Sequence, residues 1–424
     1  RRRVFMKLKK SLVLAAAVAA AVAAPGAFAT NGYFSHGYGI KAKSVGGAGI
    51  ALPQDALAAA TNPAGMAIVG NRMDFGLDWF SPKRTTIHTG GTPNAVGINQ
   101  GTYDSGNNNF FIPEFGYNKM MNPNSSLGIA VYANGGMNTD YGKIVLGSGT
   151  TNTYSNLEQL FIAPTWATKV GNHAFGASLL LAYQTFEARG LQGFATMSSD
   201  SGNLTDRGKD TSTGIGVKLG WTGQVTPDVT LGASYQPKIN MSKFNKYKGL
   251  FAEQGDFDIP DTYGVGVAVK VNPKATVAFD VTEIRYGGVK SIANTAVVFP
   301  GAGTLGNNDG SGFGWGNQTV YKFGFIYQYS PSLALRAGYN YAKMPFDNKN
   351  TYFNILAPAT VEQHLTLGAT WTMSNKSELT LAYMHAFNKE LKGTGGAGTT
   401  ASPGWPVDLK MNQNSLGIAY GWKM

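Results

Sequence analysis

The 424-residue sequence contains no cysteine. Disulfide-stapled scaffolds and thiolate-held zinc or iron–sulfur centres are therefore excluded. Charge is scarce as well. Asp, Glu, Lys and Arg make up 14% of the chain, against about 25% in ordinary soluble domains. After residue 29 no apolar run approaches the 18 or so residues that a membrane-spanning helix needs. The histidines, His36, His88, His173, His364 and His385, are scattered without metal-ligand spacing. No Gly-x-Ser-x-Gly elbow is present. Gly46-Gly47-Ala48-Gly49 lacks the Lys-Ser/Thr of a phosphate loop. No catalytic residue, metal site or cofactor emerges.

Glycine and aromatic residues are abundant. There are 56 Gly, 20 Tyr and 23 Phe, and aromatics reach 12%. Glycine alone is nearly double its usual share of about 7%. A disordered chain would be charge-rich and aromatic-poor. The net charge is +11, but Arg1, Arg2, Arg3, Lys7, Lys9 and Lys10 supply six of those charges within residues 1–29. The remaining cations form no basic run, so a nucleic-acid partner is not expected.

Residues 1–29 read as an export signal. Met6 is the expected start, with Arg1–Phe5 upstream of it. Three lysines precede the apolar run Leu12–Ala24, and Pro25-Gly26 breaks it. Ala27-Phe28-Ala29 has the small-x-small pattern of a cleavage site. At about 13 residues the run is too short for an anchor. Cleavage is expected after Ala29, leaving a mature chain that begins Thr30-Asn31-Gly32.

The body alternates with period two. Leu416, Ile418, Tyr420, Trp422 and Met424 interleave with Ser415, Gly417, Ala419, Gly421 and Lys423. Successive strand side chains point to opposite faces, so one face is apolar and the other small or polar. The pattern returns at Tyr263–Val271, Tyr321–Tyr329 and Leu333–Tyr341. Many such strands with aromatic ends fit a lipid-facing exterior and a polar lumen. Short turn signals at Asn122–Ser125, Val170–His173, Thr226–Asp228, Asn272–Lys274, Ser330–Ser332 and Ser374–Ser377 mark six hairpins. With a first strand near Arg72–Phe80 and a last near Gln413–Met424, the count is fourteen. Long polar connections, roughly 82–108, 138–156, 187–212, 238–260, 287–316, 343–362 and 389–411, lie on the other side. The expected fold is all-β: a 14-stranded antiparallel transmembrane β-barrel spanning residues 72–424. Closure is required because an open edge would leave backbone groups unpaired in lipid.

Residues 30–71 do not alternate and read as a plug (hatch) inside the lumen, with a short helix around Gln54–Ala60. Ser44–Gly49, Asp55 and Asn62-Pro63-Ala64 within this plug resemble the N-terminal hatch of the long-chain fatty acid transporter (FadL) family, which includes channels for aromatic hydrocarbons. Ser126–Tyr141, containing Asn134-Gly135-Gly136, is similar to the family's third strand. Gly314-Trp315, Tyr321–Gly324 and Leu335–Tyr341 resemble its late hairpin. The resemblance covers essentially the whole mature chain.

That resemblance implies passive uptake of long-chain fatty acids or similar hydrophobic compounds across the bacterial outer membrane. A molecule would be captured in an apolar site, the hatch would rearrange, and the molecule would leave sideways through a kinked third strand. It implies a monomer surrounded by outer-membrane lipid and lipopolysaccharide. By the same resemblance Asn62, Pro63 and Ala64 are expected to gate near the kink, and Asn134, Gly135 and Gly136 to form it. Substrate-binding candidates are Tyr33, Phe34 and Tyr38 beside the mature N-terminus, and Arg189, Lys322 and Arg336 as cations for a carboxylate. Lys322 and Arg336 face the lumen by parity. Asn317 and Gln318 stand where a further basic residue would be sought, which leaves a neutral hydrophobic substrate open. A diffusion porin for polar solutes and, behind it, a barrel lipid hydrolase remain as alternatives.

Overall fold

A computed structural model of the protein describes residues 30–89, 99–295, 304–394 and 406–424; residues 1–29, where an export signal is expected, lie outside the described residues. Fourteen strands form one closed ring. They are β1 (Arg72–His88), β2 (Phe110–Met120), β3 (Ser125–Asp140), β4 (Tyr154–Val170) and β5 (His173–Arg189). There follow β6 (Asp210–Gln224), β7 (Val229–Gln236), β8 (Thr262–Asn272), β9 (Ala275–Ile284) and β10 (Gln318–Ser330). The last are β11 (Leu333–Ala342), β12 (Gln363–Thr372), β13 (Glu378–Leu391) and β14 (Val407–Lys423). Each pairs antiparallel with the next, and β14 returns to β1, with Arg72 opposite Lys423 and His88 opposite Val407. Short turns join the strands at one end, which is the periplasmic end of such barrels, and long connections gather at the other.

The seam strands are longer than the sequence suggests. β1 does not stop near Phe80 but runs to His88, and β14 begins at Val407 instead of near Gln413. The two ladders keep their backbone groups paired above the bilayer level, so neither strand needs to end there. Beyond Phe80, β1 loses β2 as its neighbour and later gains a four-residue strand, Gly101–Asp104, that folds back on Thr85–His88. Pro82 falls in the stretch between these two partners, where its missing N–H costs no ladder bond on that side.

Alternation sorts the side chains. Leu416, Ile418 and Trp422 are exposed while Ser415, Gly417 and Gly421 are buried. Phe75, Trp79, Val265, Val271, Phe323 and Leu367 also stand on the outer face. A continuous apolar exterior of this extent needs lipid around it.

The lumen is filled by residues 30–70. They contain helical turns at Ile40–Lys43 and Ala58–Thr61 and a 3-10 turn at Pro63–Ala67. The helix expected from Gln54 starts only at Ala58. The Asp55 carboxylate accepts the Leu57 N–H at 3.0 Å and holds the preceding chain in a turn. Gly47, at φ +83°, allows the plug to fold on itself, because a Cβ there would lie 1.8 Å from the carbonyl oxygen of His36.

Candidate functional site

Wall carboxylates hold the plug. Glu114 accepts the N–H groups of Gly39 and Ile40 at 3.1 and 2.7 Å. Asp280 accepts those of Gly49 and Ile50 at 2.7 and 2.9 Å, and Asp74 accepts that of Ala56 at 2.9 Å. Two plug lysines complete the clasp. Lys43 pairs with Asp78 at 2.7 Å. Lys41 pairs with Glu378, which also takes Arg72 at 3.0 Å and Lys423 at 2.6 Å. All but the exposed Lys423 are buried and need one another, since an unpaired buried charge is costly.

The wall has a notch. β2 and β3 pair only from Met120/Ser126 to Phe115/Val131. Beyond that point β2 continues along β1 as far as Phe110, and β3 continues along β4 with a bulge at Asn134. The facing edges of β2 and β3 are thus unpaired with each other. The first residues of the plug occupy the β3 edge. Gly136 donates its N–H to the Tyr33 carbonyl at 2.9 Å, and Ser35 donates to the Asn134 carbonyl at 3.2 Å. Phe34 and Gly135 form a bridge pair. A Cβ on Gly135 would lie 2.0 Å from the Tyr33 carbonyl oxygen, so only glycine admits this contact. Tyr38 donates its hydroxyl to Asn134, whose side chain continues a chain of amide hydrogen bonds through Gln159 and Gln184 to the Phe257 carbonyl.

Two cavities flank an aromatic layer. The outer one lies under the loops and is walled by Met137, Leu157, Phe186, Phe251, Phe313 and Phe353, with hydroxyls of Ser155, Ser291 and Ser311 as its polar points. Among the described residues no charged side chain lines it. The inner one is more polar and is lined by both Lys218 and Lys322 beside Phe34, Tyr38 and Asn134. Between them Tyr33 packs against Phe34, Phe257, Tyr286 and Trp315 with ring centroids 5.1–6.1 Å apart. Tyr286 fastens the layer by donating its hydroxyl to the Asn31 carbonyl at 2.6 Å.

The sequence candidates separate. Tyr33, Phe34, Tyr38, Asn134, Gly135 and Gly136 come together at the notch and the layer. Lys322 lines the inner cavity. It lies opposite Asp280 in register, yet Asp280 spends one oxygen on the plug, and Lys322 has no ion pair or hydrogen bond among the described residues. Asn62, Pro63 and Ala64 are elsewhere. Asn62 donates to the Ile50 and Trp221 carbonyls and caps the 3-10 turn. A Cβ on Gly176 or Gly220 would strike Pro63 or Asn62, so the triplet seats near the short-turn ends of β5 and β6, well below the notch. Arg336 ties the wall to the plug through Gln54 and Thr370. Arg189 is half-exposed at the outer end of β5, paired with Glu187 at 2.8 Å and stacked on Tyr154. Neither arginine lines either cavity.

Sequence reasoning missed Lys218, which donates to the Ala60 carbonyl at 2.5 Å and stands 5.9 Å from the Tyr38 ring. Its signal was present: it interrupts the inward series Gly214, Gly216, Gly220 of β6. It also missed Phe257, Tyr286 and Trp315, which come from loops without periodicity. In the loop cap, burial together with Asp258 and Glu253 pushes the Asp256 carboxyl up to about 6.

The sequence matches, over residues 16–423, the family described as outer membrane protein transport protein (OMPP1/FadL/TodX). Among solved structures, a FadL homologue from Pseudomonas aeruginosa is similar at a TM-score of 0.72 and 16% identity, covering 92% of this chain and 99% of that one. The toluene transporter TodX of P. putida gives 0.67 and 19%, with the same coverages. The Ralstonia pickettii toluene transporter TbuX gives 0.62 and 18%, again over 92% and 99%. At these identities the likeness concerns the fold. Among curated proteins no sequence relative matches.

Proposed function

The chain belongs to the OMPP1/FadL/TodX family of outer-membrane transport proteins, and from that premise we propose that it takes up hydrophobic compounds passively, along a route that ends sideways in the membrane. The observation that carries this reading is the notch between β2 and β3, filled by residues 31–36 of the plug. A hydrophobic molecule leaves the water for the apolar outer cavity, gaining about 0.8 kcal/mol per buried CH₂. Displacing Tyr33 and Phe34 opens the aromatic layer and the notch together, because both residues belong to both. The molecule then passes the inner cavity and exits between β2 and β3 into lipid, without crossing the water below. Long-chain fatty acids fit best among such compounds: the apolar outer cavity suits the chain, and Lys218 with Lys322 suits an acidic head.

Uptake into proteoliposomes tests this. Wild-type protein is expected to admit a radiolabelled long-chain fatty acid while conducting little ionic current. Phe251→Lys, which places a charge in the outer cavity, is expected to reduce uptake with the barrel intact. Large steady conductance without hydrophobic uptake would return the protein to the diffusion-porin reading.

A further inference from the structure

The two ends of the barrel carry charge differently. At the long-loop end acids are as plentiful as cations, and several pair, Lys209 with Glu158, Lys238 with Asp258, Lys248 with Asp200, Lys290 with Glu253 and Lys389 with Glu362, although Lys143, Arg207, Lys343 and Lys349 have no ion pair among the described residues. At the short-turn end, Lys119, Lys169, Lys270, Lys274 and Lys376 have no ion pair and no side-chain hydrogen bond among the described residues. Four of them are exposed and Lys169 is half-buried. Asp228 is the one acid in those six turns. Lys169 and Lys270 fall on the inward parity of their strands, with Ala167 and Ala268, whereas Lys119 falls on the outward parity and Lys274 and Lys376 stand in turns; folding alone gains nothing from these unpaired cations.

Their level in the structure is defined by aromatic residues. Trp166, Trp371 and Trp422 are 50%, 40% and 39% exposed on the outer face, and Tyr329 is 64% exposed. Register places Leu127 opposite both Trp166 and Lys119, and Leu379 opposite both Trp371 and Tyr420. Outward Trp and Tyr side chains settle at the boundary between hydrocarbon and head groups. The lysines follow within a few residues: Lys119 after Tyr117, Lys169 after Trp166, Lys376 after Trp371. Their flexible stems can lie along apolar surface while the ammonium groups reach the head-group layer.

We propose that this rim is a binding surface for anionic phospholipid head groups of the periplasmic leaflet. The ligand chemistry is a phosphodiester without a compensating amine, as in phosphatidylglycerol. Ammonium groups at a membrane surface are attracted by such lipids, each separately and weakly, and Lys119, Lys274 and Lys376 together give a preference that a single turn would not. The surface lies at the opposite end from the loop cavity and does not depend on what the protein transports.

The test uses purified full-length mature protein in mixed micelles of phosphatidylglycerol and phosphatidylethanolamine, with retained lipids counted by native mass spectrometry. Wild-type protein is expected to retain phosphatidylglycerol in preference to phosphatidylethanolamine by about tenfold, and raised salt is expected to weaken that preference. The combined variant Lys119→Gln, Lys169→Gln, Lys270→Gln, Lys274→Gln and Lys376→Gln is expected to lose it. Heat-modifiable gel migration confirms that the variant barrel has folded. If that variant misfolds, the pair Lys274→Gln and Lys376→Gln, both in turns, is expected to lower the preference partially. Equal retention of both lipids by wild type overturns the proposal. So does a preference that survives the fivefold substitution, or one lost instead on Lys143→Gln and Lys349→Gln at the other end.

Discussion

Gly136 donates its N–H to the carbonyl oxygen of Tyr33 at 2.9 Å, so the first residues of the plug serve as a short extra strand on the edge that β2 leaves bare. The contact satisfies a wall strand and shuts the aromatic layer at once. Motion of one segment therefore changes both.

Gly135→Val tests the contact. The new Cβ would meet the Tyr33 carbonyl at 2.0 Å, and the crowding is expected to cost about 1–3 kcal/mol at that site. Hydrogen exchange of residues 30–38 is expected to speed up while the strands stay protected. Unchanged exchange in that segment would mean that the plug does not depend on glycine there.

Glu378→Gln removes the carboxylate shared by Lys41, Arg72 and Lys423. Lys41 is left buried without its partner and the exposed Lys423 loses its own, while Arg72 keeps Asp74 at 2.6 Å; stranding one buried cation is expected to cost about 3–5 kcal/mol. Single-channel recordings are expected to show frequent openings as the plug loosens, together with a lower unfolding temperature. A silent, equally stable variant would show that the backbone hydrogen bonds suffice.

The loop cap is expected to respond to pH through Asp256. Its carboxyl is pushed up to about 6, chiefly by burial and then by Asp258 and Glu253. A raised acid favours the protonated folded form. Its stabilisation is complete below the ordinary value near 4 and is lost as pH rises through about 6. Hydrogen exchange in residues 238–260, corrected for the intrinsic rate, is expected to increase between pH 4 and 6.5. Asp256→Asn should flatten that dependence.

Lys218→Met with Lys322→Met separates charge from apolarity in the inner cavity. Affinity for a long-chain fatty acid is expected to fall by about tenfold or more, in keeping with a lost charge-assisted hydrogen bond, while its methyl ester binds as before. Equal losses for both ligands would assign the lysines to packing.

The strand count and the sidedness of the loops were legible because lipid imposes period two on every strand, and Leu416, Ile418 and Trp422 display it openly. The fourteen strands follow from six short turns, each a local signal. Strand ends were not legible: His88 and Val407 pair above the lipid, where composition no longer alternates between apolar and polar. Lys322 was found by parity; Lys218 obeys the same parity but was lost among glycines. The gate role of Asn62 rests on the family resemblance alone, and its position is set by Gly176 and Gly220, more than a hundred residues away. Tyr286 and Trp315 reach the aromatic layer from loops, whose path no periodicity encodes.

The ionic clasp straddles the place where the ring joins itself. Arg72, Asp74 and Asp78 belong to the first strand, Lys423 and Ser415 to the last, and Glu378 to its neighbour, while Lys41 and Lys43 reach them from within. Without these two lysines Asp78 would have no cation, and Glu378 would keep only Arg72 and Lys423 of the wall. The N-terminal segment thus fastens the first and last strands to each other from within, besides filling the space they enclose.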